Sequence, residues 1–150
     1  MQWFLAAFVC TLSVFPPIPM KGYVVNLEVE SKKNSNFRRV LYTAKHSQLV
    51  LMSLKPGEEI GEEVHHLDQF IRVEAGEGKA IIDGNEYPVA DGSGIVIPAG
   101  ARHNVINSAK SEMKLYTIYS PPEHLDGRVH VTKADAVKDT EDEFDGKTTE

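Results

Sequence analysis

The chain has 150 residues, a formal net charge of −6 and an ordinary globular composition, enough for one domain with a single core. No basic stripe suited to nucleic acid is present, and no apolar run approaches the roughly 20 residues that a membrane-spanning helix needs. The single cysteine, Cys10, excludes an intrachain disulfide and fits a reducing, cytoplasmic compartment.

The first twenty residues, MQWFLAAFVCTLSVFPPIPM, carry no charge. They lack the basic start and the small-x-small cleavage site of an export signal. Met20 opens MKGYVVNLEVE, which reads as a natural start followed by a strand. Residues 1–19 are therefore expected to be an extension outside the fold, with a weak export signal as the rival reading. From residue 22 the chain is a series of short β signals. YVVNLEV (23–29), FRRVLYT (37–43) and SQLVLMSL (47–54) are rich in β-branched and aromatic residues. EVHHLDQFIRVEAGEG, KAIIDGNEYPV, GIVIPAG, HNVIN and MKLYTIYS follow. Pro56-Gly57, Asp83-Gly84, Asp91-Gly92 and Ala99-Gly100 punctuate them. AIIDGNEYPV carries a hairpin signal with Asp-Gly-Asn at its tip. Regular strands with no convincing helix between them predict an all-β sandwich or barrel over residues 20–120. Pro121-Pro122 ends the series. Residues 121–150 hold nine acidic and four basic residues, so most of the net charge sits there. ADAVKDTEDEF allows one or two helical turns, and DGKTTE is expected to fray. This tail is either a solvated acidic terminus or an arm packed on a partner subunit.

The chemistry concentrates in GEEVHHLDQF, residues 61–70. Adjacent residues of a strand face opposite ways, so His65 and His66 do not serve one site easily. Glu63, His65 and Gln69 are evenly separated, and extended backbone places them on one face, which Ile71 and Val73 continue as apolar lining. His66 falls on the other face with Val64, Phe70 and Arg72 and reads as an exposed strand residue. Asp68 reads as a turn or rim residue. His124 and His130 read as surface histidines, with a lid over the barrel mouth as the sharper alternative. Thr117 and Tyr119 face oppositely to Tyr116 and Ile118, and the pattern does not say which pair points inward.

Two segments read together carry a resemblance. In the first, Gly57, Glu63, His65, Gln69 and Gly76 are separated by five, one, three and six residues. In the second, Gly92, Pro98-Ala99-Gly100, His103 and Asn107 are separated by five, two and three. The chain resembles the cupin superfamily over about residues 40–120. The second segment matches the second cupin motif at every defined position. The first matches in spacing with two departures. Glu63 stands where a histidine is usual, and Gln69 stands where a glutamate is usual. The resemblance implies a small antiparallel barrel of jelly-roll type whose motif residues converge on a metal. Carried over position by position, the implied ligands are Glu63, His65, Gln69 and His103, with Pro98 and Gly100 turning the chain to deliver His103. The carboxylate has moved from the fourth ligand position to the first, so the protein charge at the metal stays −1. Two nitrogens and two oxygens favour Fe(II), Mn(II) or Zn(II) over Cu(I).

Cupins serve many functions, so the fold alone does not choose among them. The expected function is metal-dependent chemistry of the sugar-phosphate isomerase type on a small polar metabolite. Glu63 is the candidate proton carrier, and an O2-using variant is allowed. The alternative is a barrel that binds a small ligand without turnover. Arg102 either meets an anionic substrate at the rim or is simply solvated. The resemblance also implies a homodimer, with Phe70 and Arg72 suited to a partner contact.

Overall fold

The computed structural model describes residues 18–150. The expected extension at 1–19 falls almost wholly outside them. Among the described residues nine strands and two short helices follow one another. They are α1 (Leu27–Lys33), β1 (Arg38–Thr43), β2 (Gln48–Leu54), β3 (Asp68–Ala75), β4 (Glu77–Ile82) and β5 (Asn85–Ala90). After them come β6 (Gly94–Ile97), β7 (His103–Asn107), β8 (Met113–Ser120), β9 (Val129–His130) and α2 (Lys133–Lys138). Among the described residues no helix is long and apolar enough to cross a membrane.

All pairings are antiparallel. A six-stranded sheet runs β6-β3-β8-β2-β1-β9, and a three-stranded sheet runs β5-β4-β7. The two sheets pack inner face to inner face, as expected of an all-β jelly roll. Strict alternation builds the core. Along β8 Met113, Leu115, Thr117 and Tyr119 are buried, and Lys114, Tyr116 and Ile118 face outward. Thr117 and Tyr119 are therefore the inward pair. Ile71, Val73, Val50, Met52, Leu54 and Val105 complete the centre. The β4–β5 hairpin turns on two residues, Asp83 at φ 46° and Gly84 at φ 80°, with Asn85 already paired to Ile82. Gly78 lets β4 lie close on β7, since a Cβ there would stand 2.0 Å from the Ile106 carbonyl oxygen.

The strand expected at 23–29 is not formed. Asn26 caps α1 by accepting a hydrogen bond from the Val29 amide at 3.1 Å. Glu28 and Glu30 fall in the first turn and Lys32 and Lys33 in the last, so the charges complement the helix dipole. Val24 stays 99% exposed. The β-branched pair signalled a strand, but the capping asparagine and charge order decided the local structure. The helix covers part of the outer face of β2, β3 and β8.

The C-terminal residues do not leave the body. β9 pairs with β1, the Thr149 amide donates to the Thr43 carbonyl at 2.9 Å, and the Thr149 hydroxyl donates to Asp126 at 2.7 Å. The fraying expected of DGKTTE is therefore corrected, because backbone and hydroxyl groups of the terminus find partners on the barrel. The expected helical turns are present as α2, closed by a capping box between Thr132 and Asp135.

Candidate metal centre

Glu63 and His103 meet through the backbone. The Glu63 amide donates to the His103 carbonyl and the His103 amide to the Glu63 carbonyl, both at 2.9 Å. This is a hydrogen-bonded antiparallel pair, which sets the two residues directly opposite one another. Gly100, at φ 86°, makes the turn before β7, and its amide donates to the His65 carbonyl at 2.8 Å. The Arg102 amide donates to Asp83 Oδ1, tying this turn to the hairpin tip. His103 thus starts its strand held from both sides.

The reading of 63–69 as one continuous extended face needs correction. Residues 59–63 bridge to β7, whereas Gln69 lies on β3 of the other sheet, with a bend at 66 and 67 between them. The side chains converge because the chain crosses between sheets there. Inward–outward alternation nevertheless survives. Val64 and His66 are exposed, while Gln69, Ile71 and Val73 are buried. Asp68 is exposed and its Oδ1 accepts from the Ala99 amide, so it is a rim residue that braces the second motif.

Ligating atoms of Glu63, His65 and His103 all lie within 4.8 Å of one another. Glu63 Oε2 is 3.1 Å from His65 Nε2 and 3.9 Å from His103 Nε2. Metal–ligand bonds of roughly 2.0–2.2 Å set neighbouring ligand atoms roughly 3–4 Å apart, so these separations suit one ion. Two buried atoms speak to the fit. His103 Nδ1 donates to the Ala101 carbonyl at 2.9 Å, which leaves Nε2 as a lone pair. Gln69 Nε2 donates to Thr117 Oγ1 at 3.1 Å, which leaves Oε1 as an acceptor. Among the described residues both free acceptors are buried without a partner. A buried acceptor without a donor costs about 1–3 kcal/mol. Of the two, His103 Nε2 lies 3.9 Å from Glu63 Oε2, and an orphaned lone pair beside a carboxylate suits a cation.

Electrostatics around the triad are strongly coupled. Burial works to lower the His65 pKa, but the carboxylates of Glu123 and Glu63 outweigh it and raise it to about 9. Burial works to raise the Glu63 pKa, but the His65 hydrogen bond and charge, together with Arg38 and His103, hold it below the usual carboxylate range. The His65 hydrogen bond also holds Glu123 low against burial. Burial pushes the Tyr119 phenol well above its ordinary range, so it stays protonated. The Tyr119 ring meets His65 edge-on at 5.8 Å.

The cupin-domain family model matches residues 50–119. YrkC of Bacillus subtilis (strain 168), an uncharacterized protein, is 48% identical over 124 residues, which are 78% of this chain and 67% of that protein. L612 of Acanthamoeba polyphaga mimivirus, also uncharacterized, is 47% identical over 74% of this chain and 72% of its own length. The crystal structure of BH2720 from Bacillus halodurans is 48% identical, with a TM-score of 0.76 over 77% of this chain and 92% of that one.

The chain belongs to the cupin superfamily. It is a small single-domain cupin, and its departures from the usual motif lie on two different sheets. Glu63 pairs with β7 on one sheet and Gln69 sits on β3 of the other. The cupin also uses residues that no motif spacing marked. Arg38, on β1, places Nη2 3.8 Å from Glu63 Oε1 and Nη1 3.6 Å from Asp142 Oδ2. Glu123 Oε1 stands 3.3 Å from His65 Nδ1. Glu123 follows β8 and precedes His124, and no spacing along the chain marked it. The surface reading of His124 and His130 is overturned, since their exposures are only 5% and 4%. Acidic residues of the C-terminal segment fold back and give these histidines partners. His124 Nδ1 donates to Asp142 Oδ2 at 2.8 Å, and His130 Nε2 lies 2.9 Å from Asp139 Oδ2. Arg102 is exposed and ion-paired with Glu62, which corrects the solvated reading only by giving it a partner.

Proposed function

We propose that this cupin holds a divalent metal ion on Glu63, His65, Gln69 and His103, and uses it on a small polar hydroxy-carbonyl metabolite in chemistry of the isomerase type. The observation that carries the reading is the convergence of Glu63, His65 and His103, with the His103 Nε2 lone pair buried and without a partner; Gln69 joins them through the motif spacing and its own partnerless Oε1. A harder donor set with one carboxylate and one amide points to Fe(II), Mn(II) or Zn(II). When bound, such an ion polarises a substrate carbonyl and offsets the charge of an enediolate. The Ala101 carbonyl and Thr117 hydroxyl hold His103 and Gln69 in orientation. Leu67, Ile71 and Ile97 belong to the buried apolar core of the barrel. Glu63, whose side chain is 24% exposed, is the ligand carboxylate open enough to pass a proton to a bound molecule. A second copy docking around Phe70 and Arg72 belongs to the same proposal.

Elemental analysis of native protein tests the reading. About one ion per chain is expected, and its loss is expected in a Glu63→Ala, His65→Ala, His103→Ala triple variant. A folded, metal-supplemented wild type that carries no ion overturns it. One observation favours a second reading. Glu63 and Glu123 are both held ionised below the usual carboxylate range, which makes each a weak proton acceptor. That suits a barrel binding a ligand without turnover. A ligand-dependent rise in Tm with no product formed selects this reading over the first.

A further inference from the structure

The family model ends at residue 119. Two carboxylates from beyond that point nonetheless stand around the triad, one against His65 and one against the Arg38 that pairs with Glu63. Glu123 faces His65 Nδ1 at 3.3 Å, on the opposite side of the ring from Nε2, which faces Glu63. Asp142 faces Arg38, whose other nitrogen faces Glu63.

Glu123 is held in place by its backbone. Gln48 is 1% exposed, and its Oε1 accepts from the amides of Glu123 at 3.3 Å and His124 at 3.0 Å. Its Nε2 donates to the His124 carbonyl at 2.7 Å and to Thr43 Oγ1 at 2.9 Å. The Glu123 carbonyl accepts from the Phe144 amide at 2.9 Å. One buried amide on β2 and the chain's last segment therefore fix where the Glu123 carboxylate can stand.

An imidazole binds a metal through one nitrogen only if the other keeps its proton and gives it to an acceptor. For His103 that acceptor is the Ala101 carbonyl. For His65 the group at that position is the Glu123 carboxylate, 3.3 Å from Nδ1. We infer that the C-terminal segment completes this cupin's metal centre, with Glu123 as the positioning residue that fixes the His65 ring, keeps the proton on Nδ1 and presents Nε2 to the ion. The inference rests on the metal reading above. Carboxylates in such a position set metal affinity by about 10–100-fold.

Metal-free wild type, Glu123→Gln and Glu123→Ala are titrated with Co(II) chloride, following the visible absorption bands, and each is melted without metal. The expected result is a Kd raised about 10–100-fold in Glu123→Ala, with shifted bands. Glu123→Gln is expected to fall between, because its amide oxygen still accepts from Nδ1 while the charge is gone. A purely structural role would lower the metal-free Tm and leave the bands unmoved. Wild-type Kd and bands in a folded Glu123→Ala overturn the inference. Should that variant not fold, unchanged Kd and bands in Glu123→Gln overturn it equally. A wild type that binds no Co(II) sinks the metal reading itself and this inference with it.

Discussion

Asp142 is the residue whose loss should cost the fold most among the acidic positions of the C-terminal segment. Its side chain is 4% exposed. Oδ2 accepts from His124 Nδ1 at 2.8 Å, and Oδ1 accepts from the Leu125 amide at 3.0 Å. Arg38 stands 3.6 Å away and Arg128 3.8 Å away. Burial holds the His124 pKa down, so it is a neutral donor near neutral pH, and Arg38 is the main charge that Asp142 balances. Asp142→Ala removes two hydrogen bonds and leaves the Arg38 guanidinium, 10% exposed, without its second carboxylate. Breaking one side of a buried pair costs about 3–5 kcal/mol. For a chain of this size that is a fall in Tm of about 10 °C. Asp142→Asn keeps an oxygen for the Leu125 amide and should cost about half as much. Burial works to raise the Asp142 pKa, but the His124 and Leu125 hydrogen bonds and Arg38 bring it below 3.8. A depressed carboxylate contributes stability that is fully present above its ordinary pKa and lost as pH falls through the lower folded value. The gap between wild type and variant should therefore be widest above pH 4 and close at more acid pH. Urea unfolding of the metal-free proteins at several pH values measures this. A loss below about 1 kcal/mol in Asp142→Ala at pH 7 would refute the view that the segment's charge is a buried structural element.

Metal affinity should climb with pH. His65 must give up its Nε2 proton to serve as a ligand, and its pKa is raised to about 9, so affinity should gain about tenfold per pH unit up to that point. Calorimetric titration at pH 7 in buffers of different ionisation enthalpy should report about one proton released per ion; no release would contradict the ligand role. The same raised pKa works the other way for the metal-free fold. Its stabilising contribution is full below pH 6.5 and lost as pH rises through about 9. Gln69→Leu should leave metal-free stability within about 1 kcal/mol, because it removes an unpaired buried acceptor along with the bond to Thr117, yet weaken metal binding markedly. Equal affinity in that variant would remove Gln69 from the ligand set. Gly78→Ala should cost at least the ~1–3 kcal/mol of an overpacked core, read by thermal melting, since its Cβ would overlap the Ile106 carbonyl on the neighbouring strand.

Much of this molecule is legible along the chain because its organising signals are local. The period-2 alternation names the inward face of β3 and leaves two choices open on β8, and the turn dipeptides close the hairpins. Motif spacing gathers Glu63, His65 and His103, which the backbone pairing of 63 with 103 brings within reach. What it misses is carried by contacts with no periodic signature. Arg38 reaches Glu63 across 25 positions, and Glu123 reaches His65 across 58. A lone arginine beginning a strand, or a glutamate after a double proline, looks the same whether it turns inward or outward. His124 and His130 mislead for the same reason. Polar residues in an acidic segment read as solvated until the carboxylates of that segment are seen to be their buried partners. At α1 the error is one of weighting, a β-branched pair being set above an asparagine cap.

The two departures from the usual cupin motif have a common physical cause in the neighbours. Position 69 is 2% exposed, and its side-chain amide donates to the neutral Thr117 hydroxyl. A carboxylate there would be a buried charge compensated by the ion alone, and expensive whenever the ion is absent. Position 63 is different. Its side chain is 24% exposed, His65 stands 3.1 Å away and Arg38 3.8 Å away, so a carboxylate there is compensated with or without an ion. On the proposed ligand set, a negative charge at 63 rather than 69 keeps the same charge at the centre and finds partners in the metal-free protein as well. Arg38 is what makes position 63 the better place, and Asp142 in turn compensates Arg38. Glutamate at 63, amide at 69 and an acidic segment folded back on the barrel are thus one arrangement of charge, and Arg38→Met should weaken all three parts together: lower metal-free stability, a less acidic Glu63, and looser packing of residues 139–144.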